Sequence, residues 1–428
     1  MTRITGIRAR EILDSRGRPT VQADVALDSG RVATASVPSG ASTGRHEAVE
    51  LRDGDSGRFG GRGVLEAVRN VNEIIAPALV GLSPEISAVD QRMRELDGTD
   101  DKSALGANAI LAVSLATARA QAISSGRSLW QVFAGESIPD LPLPMVNILS
   151  GGLHAGRQID FQDFLVVPVG AADYPEALEW VVAVHEAMGT ALTTRGLSTL
   201  RADEGGYGPS IGGSEEALEL MDEAVARAGL EPGSQIVYAI DVAATHFFDP
   251  AEEIYRVAGA ELTSEEMVEM LADLTDRFAI ASLEDGLAED DWSGWRRLQA
   301  RLGGRVQIIG DDHFTTNPQR VGRGIAEATA NAVLVKMNQI GTISETLDVI
   351  SQARKAGWRT VVSARSGETE DAALADLAFG TGAGQIKVGS VTQSERLAKY
   401  NRLLVLQDRL GERASLSRAL GPVGEGNR

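Results

Sequence analysis

Val237-Tyr-Ala-Ile-Asp241, Ile280-Ala-Ser-Leu-Glu284 and Val306-Gln-Ile-Ile-Gly-Asp311 are three short apolar runs, each leading to a carboxylate. Three more follow: Ala332-Val-Leu-Val-Lys336, Thr360-Val-Val-Ser-Ala-Arg365 and Gln385-Ile-Lys387, each leading to a cation. Runs of this length, rich in β-branched residues, read as buried strands rather than helices. The six polar residues are 43, 27, 25, 29 and 22 positions apart, the length of a strand plus a helix. An amphipathic stretch follows the first run. Thr263-Ser-Glu-Glu266 is a capping box, and Met267, Met270, Leu271 and Leu274 share one face of the helix it opens. Repeated parallel βα units predict a closed barrel with its working groups at the C-terminal ends of the strands.

Upstream the pattern differs. Ile4–Ile12, Thr20–Leu27 and Arg31–Val37 read as a three-stranded meander. Its turns are Asp14-Ser-Arg-Gly17 and Asp28-Ser-Gly30. A small-residue loop, Pro38-Ser-Gly-Ala-Ser-Thr-Gly44, comes next. Val64–Ile75 has helical spacing and is expected to close at Pro77, while Leu105–Ala120 is apolar nearly all round and reads as a buried helix. Ile138-Pro-Asp-Leu-Pro-Leu-Pro144 reads as a linker, and the Gly-rich tail from Gly421 is expected to fray. The class is therefore α/β, with an N-terminal α+β domain over 1–135 (meander plus helices) and a TIM-like β/α barrel over 140–428.

The chain has 428 residues, 41 basic and 60 acidic side chains, a net charge of −19 and no Cys. That excludes disulfides, thiolate nucleophiles and Cys-ligated metals. It argues against nucleic-acid partners, which need clustered cations. The start, Met1-Thr-Arg-Ile-Thr-Gly-Ile-Arg8, has no apolar core of a signal peptide, and no apolar run is long enough to span a bilayer. The expectation is a cytoplasmic protein without a membrane partner.

Asp241, Glu284 and Asp311 end successive strands, so they converge and repel unless a cation joins them. Oxygen donors suit Mg²⁺ or Mn²⁺. Each acid singly also fits a helix cap or a solvated position. Lys336 and Lys387 should face the acids across the barrel mouth. Either is a base with a lowered pKa beside a metal and a second cation, or the partner of an ion pair. Arg365-Ser366-Gly367 offers a fork and a hydroxyl to a phosphate or carboxylate, or is an ordinary turn. Glu204, in Asp203-Glu-Gly-Gly206, and His154, in Gly151-Gly-Leu-His154, stand on turns that can present them at the rim. Together such groups suit removal of a proton beside a carboxylate.

At these residues the sequence resembles enolase over nearly its whole length. The markers are Ser39-Gly-Ala-Ser-Thr-Gly44, Leu105-Gly-Ala-Asn-Ala-Ile110, Asp203-Glu-Gly-Gly206, Glu284-Asp-Gly286, Gly310-Asp-Asp312, Leu334-Val-Lys-Met-Asn-Gln-Ile-Gly341, Arg365-Ser-Gly-Glu-Thr-Glu-Asp371 and Ser394-Glu-Arg-Leu-Ala-Lys-Tyr400. The resemblance implies a barrel with atypical first units, a homodimer or larger assembly, and two Mg²⁺ per site. Asp241, Glu284 and Asp311 would hold the first ion, and Ser42 would help hold the second. Lys336 would take the C2 proton of 2-phosphoglycerate, a small phosphorylated carboxylic acid, and Glu204 would assist departure of the C3 hydroxyl. Lys387 would hold the substrate carboxylate, and Arg365 and Ser366 its phosphate. His154 would join catalysis and substrate binding as its loop closes, with Asp163 as a further catalytic residue and Gln162 as a substrate-binding one.

Several positions depart from the family. Gln162-Asp163-Phe164 replaces Gln-Glu-Phe, and Ser363-Ala364-Arg365-Ser366-Gly367 replaces Ser-His-Arg-Ser-Gly. Lys387-Val388-Gly389, Ser150-Gly151-Gly152 and Tyr207-Gly208-Pro209 replace Lys-Thr-Gly, Asn-Gly-Gly and Phe-Ala-Pro, and His313 replaces an apolar residue. Asp163 and Ala364 are expected to leave room on the rim for a different substrate. The alternative function is therefore an enolase-like enzyme of specialised metabolism, for instance a carboxyphosphonoenolpyruvate synthase of phosphonate or phosphinate antibiotic pathways. A non-catalytic scaffold is a third, disfavoured by the retained Lys336, Lys387 and Glu204.

Overall fold

A computed structural model describes residues 2–40, 44–134 and 137–423. Ser42 and the last five residues of the tail lie outside the described residues. The N-terminal sheet is the expected antiparallel meander of β1 (Ile4–Leu13), β2 (Pro19–Leu27) and β3 (Val32–Ser36). Val21, Ala23, Val25 and Leu27 are buried at every second position, as a one-faced sheet requires. The β2–β3 turn closes on Gly30 at φ +78°, where a side chain would be strained.

Helix Ala107–Ser125 is buried all round because it lies between two layers. It packs on β2 and β3 on one side and on the barrel segments Met337–Ile340 and Ile343–Lys355 on the other. The helix expected over 64–75 does not end at Pro77. It runs Leu65–Arg69, passes through a π-helical stretch over Asn70–Ile75 and continues as Ala76–Leu79. The wider i→i+5 turns accommodate a residue that has no N–H to give.

Eight strands close the barrel: β4 (Leu143–Ser150), β5 (Asp163–Val167), β6 (Val237–Asp241), β7 (Ile280–Glu284), β8 (Gln307–Gly310), β9 (Ala332–Val335), β10 (Arg359–Ser363) and β11 (Gly384–Gly389). The six strands read from the sequence are β6–β11. The segment read as a linker is shorter than expected, because β4 begins at Leu143 and carries Pro144 in its ladder with β11. The barrel is not wholly parallel: β5 is antiparallel to both β4 and β6. The connection 151–162 holds only a 3₁₀ turn, so there is no helix to make a crossover. Reversal puts the first residue of β5 on the rim where the other strands end, with Asp163 in register with Asp241.

The capping box forms as read: Thr263 accepts from the Glu266 N–H, and Glu266 reaches back to Thr263. Such a cap contributes about 1 kcal/mol. The N-terminal domain is tied to the barrel rim through Ser39 and Gly367, which exchange two backbone bonds of 2.8 and 3.1 Å. Further down, Lys102 pairs with Glu345 at 3.1 Å, and Ser114 Oγ accepts from the Ile343 N–H at 2.9 Å. Among the described residues no helix is long and apolar enough to cross a membrane.

Candidate active site

One polar cavity opens at the rim, lined by His154, Gln162, Glu204, Asp241, Asp311, Lys336, Ala364, Arg365, Ser366 and Lys387 among others. Strand ends pointed to Asp241, Asp311, Lys336, Arg365, Ser366 and Lys387, turns to His154 and Glu204, and the resemblance to Gln162 and Ala364; Gln162 comes in just before the reversed β5. Its free space is about 30 Å³, room for a water or two, because the charged side chains have closed on one another.

The lysines are ion-paired. Lys387 Nζ donates to Asp241 Oδ2 at 2.9 Å and to both oxygens of Glu284 at 2.7 Å. Lys336 Nζ donates to Asp311 Oδ2. Burial works against charging either amine, yet Asp241 and Glu284 hold Lys387 well above the ordinary lysine value. Asp311 likewise raises Lys336, although Arg365 and Lys387 push the other way. The expected lowering of a lysine is therefore outweighed here by its carboxylate.

The acids are crowded. Burial, then Asp241, push Glu284 well up; burial also raises Asp241, but Lys387 more than reverses that. A second acidic row lies behind. Asp285 accepts from the Asp311 and Asp312 N–H groups at 2.8 Å, and its carboxyl is held high by burial and by Asp312. Gln162 Nε2 donates to Asp241 Oδ2 at 3.1 Å, while its buried Oε1 has no hydrogen-bond partner.

On the opposite wall Asp163 is fully buried. It accepts from Asn147 Nδ2 at 2.5 Å and Ser150 Oγ at 2.9 Å, and its other oxygen lies 2.9 Å from His154 Nδ1. The expected gap beside this short acid does not exist: Ser150, Asn147 and His154 fill it. His154 Nε2 faces Glu204 Oε1 at 3.9 Å. Against the cost of burial, Asp163 and then Glu204 raise the imidazole to about 9, so it is charged at neutral pH. Burial would raise Glu204, but His154 and Arg396 bring it below the ordinary carboxylate value.

Arg365 Nη1 meets Glu47 Oε2 at 2.8 Å, and Ser366 Oγ accepts from Arg16 Nη1 at 3.1 Å. Glu47 and Arg16 come from the N-terminal domain, hundreds of positions away in sequence, and no local pattern marks them. Arg396 donates to the carbonyls of Arg365, Ser366 and Val388 at 2.6–3.0 Å and fixes the backbone of that wall. Asp285 and Asp312 were also missed; the doublets Glu284-Asp285 and Asp311-Asp312 at strand ends were the available signal. Ala364 lines the cavity as expected. His313 does not: its ring stacks on Trp295 at 4.2 Å and bonds Glu289 O at 2.8 Å, which makes it part of the aromatic packing behind the rim.

A family model described as "Enolase, N-terminal domain" matches residues 4–133, and one described as "Enolase, C-terminal TIM barrel domain" matches residues 139–419.

Proposed function

The chain belongs to the enolase family, and from that premise we propose that it is a Mg²⁺-dependent lyase that dehydrates 2-phosphoglycerate to phosphoenolpyruvate. The observation that carries this reading is the opposition, at one buried rim, of three strand-end carboxylates with two lysines and an arginine–serine pair; Asp241 and Asp311 line the cavity itself, and Glu284 joins them through Lys387. The donors suit the ion. All are oxygens, their mutual repulsion needs a cation, and the orphaned Gln162 Oε1 beside Asp241 is a further oxygen facing nothing. Asp241, Glu284 and Asp311 would hold the first Mg²⁺ and Ser42 would help with a second. Bound there, Mg²⁺ supplies positive charge against the charge that builds on the substrate carboxylate as the adjacent C–H bond breaks.

The chain's own groups do the rest. Lys336, freed from Asp311 and having passed its extra proton to solvent, takes the C2 proton with its Nζ lone pair. Lys387, freed from Asp241 and Glu284, holds the substrate carboxylate. Arg365 and Ser366 hold the phosphate. The C3 hydroxyl leaves as water with the proton carried by the Glu204–His154 pair, with Asp163 fixing the imidazole. The substrate is a small phosphorylated carboxylic acid, and we place the enzyme in the cytoplasm as a homodimer or larger assembly.

One observation favours a second reading. Ala364 removes a side chain from the wall that bears Arg365 and Ser366. An enolase-like enzyme of specialised metabolism, such as a carboxyphosphonoenolpyruvate synthase, would keep the proton abstraction and change the later step.

The test is purified protein with Mg²⁺ and 2-phosphoglycerate, followed by ultraviolet absorbance of the enolpyruvate. Strong turnover supports the first reading. Exchange of the C2 hydrogen with deuterated solvent without turnover supports the second. The absence of both turnover and exchange would overturn both readings.

A further inference from the structure

Thr316 and Gln339 do not line the cavity, yet they join two of the groups that do in a closed ring. The Lys336 backbone N–H donates to Thr316 Oγ1 at 2.9 Å. That hydroxyl donates to Gln339 Oε1 at 2.7 Å, and Gln339 Nε2 donates to Asp311 Oδ1 at 2.8 Å. Asp311 Oδ2 accepts from Lys336 Nζ, which closes the ring. Thr316 and Gln339 are 0% and 1% exposed, so water does not compete for these bonds.

The backbone is bent to make this ring. Thr315 and Thr316 have φ of +49° and +52°, a left-handed conformation that β-branched residues avoid. Strain of that kind persists only where the surroundings enforce it. Gln339 is anchored from the other domain, because its carbonyl accepts from the Ala48 N–H at 2.8 Å.

We infer that Thr316 and Gln339 are positioning residues that hold Asp311 in register with Lys336. The inference rests on the reading of Asp311 as a Mg²⁺ ligand and Lys336 as the base. Gln339 keeps Asp311 Oδ1 whether or not Lys336 occupies Oδ2. The carboxylate therefore stays aimed when the amine departs. Thr316 fixes the Lys336 main chain to the same amide, so neither group shifts without the other.

The test is calorimetric titration of the full-length protein with Mg²⁺ alone, with thermal unfolding run in parallel. Loss of a partner behind a metal ligand weakens affinity by about tenfold or more, so Thr316→Val and Gln339→Met should each do so. Because the ring acts as one unit, the double variant should be about as weak as either single one. Thr316→Ser keeps the hydroxyl and should restore wild-type affinity. If Thr316→Val fails to fold, Gln339→Met carries the test from the other element. Unchanged affinity in folded variants overturns the inference and leaves the metal reading standing, and so do losses that multiply in the double variant. A wild-type protein that takes up no Mg²⁺ overturns the metal reading and the inference with it.

Discussion

Asp163→Asn should discharge His154. Asp163 Oδ2 lies 2.9 Å from Nδ1, closer than Glu204 on the other side at 3.9 Å. Together they lift a buried imidazole from 6.5 to about 9. That displacement corresponds to about 3 kcal/mol at roughly 1.4 kcal/mol per pH unit. Asparagine is nearly isosteric. Its carbonyl can still accept from Asn147 and Ser150, but its NH₂ then faces Nδ1 and demands a lone pair there. The neutral ring is favoured and the largest force against burial is gone, so the His154 pKa should fall well below 9.

The sign for stability follows. A folded-state pKa raised above the unfolded one contributes stability that is complete below about 6.5 and is lost as the pH rises through about 9. Wild type should therefore exceed the variant by most at the acid end of that window and converge with it above. The assay is NMR titration of the imidazole carbon-bound protons, with only five His in the chain to assign. His185 and His313 titrate far lower, at about 4 and 3, because burial holds them neutral. An unchanged value near 9 in Asp163→Asn would refute the assignment of the charge to this pair.

Three further outcomes are expected. Burial depresses His313 to about 3, so charging it costs stability as pH falls below 6.5, approaching about 5 kcal/mol near pH 3; His313→Leu should lose that acid slope in chemical denaturation. Lys387→Met leaves Asp241 and Glu284 without their cation and should cost about 3–5 kcal/mol in metal-free buffer, with added Mg²⁺ raising the melting temperature of the variant more than that of wild type. Ala364→His should raise the rate of 2-phosphoglycerate dehydration by absorbance; an unchanged low rate would show that the space at Ala364 does not limit the later step.

The barrel was legible because its strands are short, buried almost throughout and closed by polar residues at near-regular intervals. The reversal of β5 was not, since its residues are as apolar as those of a parallel strand and only the helix-free connection 151–162 gives it away. Asp241, Glu284, Asp311, Lys336 and Lys387 were legible from place alone, each at or beside a strand end. What the sequence hid was pairing. Nothing near Arg365 announces Glu47, and nothing near Ser366 announces Arg16. His313 stands where the family has an apolar residue, and a tight turn after β8 sends it into Trp292 and Trp295. Asp163 and Ser150 each looked like a loss; placed 2.9 Å apart, they are a matched pair.

The most direct measurement is the exchange of the C2 hydrogen of 2-phosphoglycerate in deuterated water with Mg²⁺, comparing wild type with Lys336→Ala. Wild type should incorporate deuterium at C2 and the variant should not, while both keep the same fold by circular dichroism. Equal incorporation by the two, or none by a wild-type protein that binds both Mg²⁺ and substrate, would contradict the assignment of Lys336 as the base.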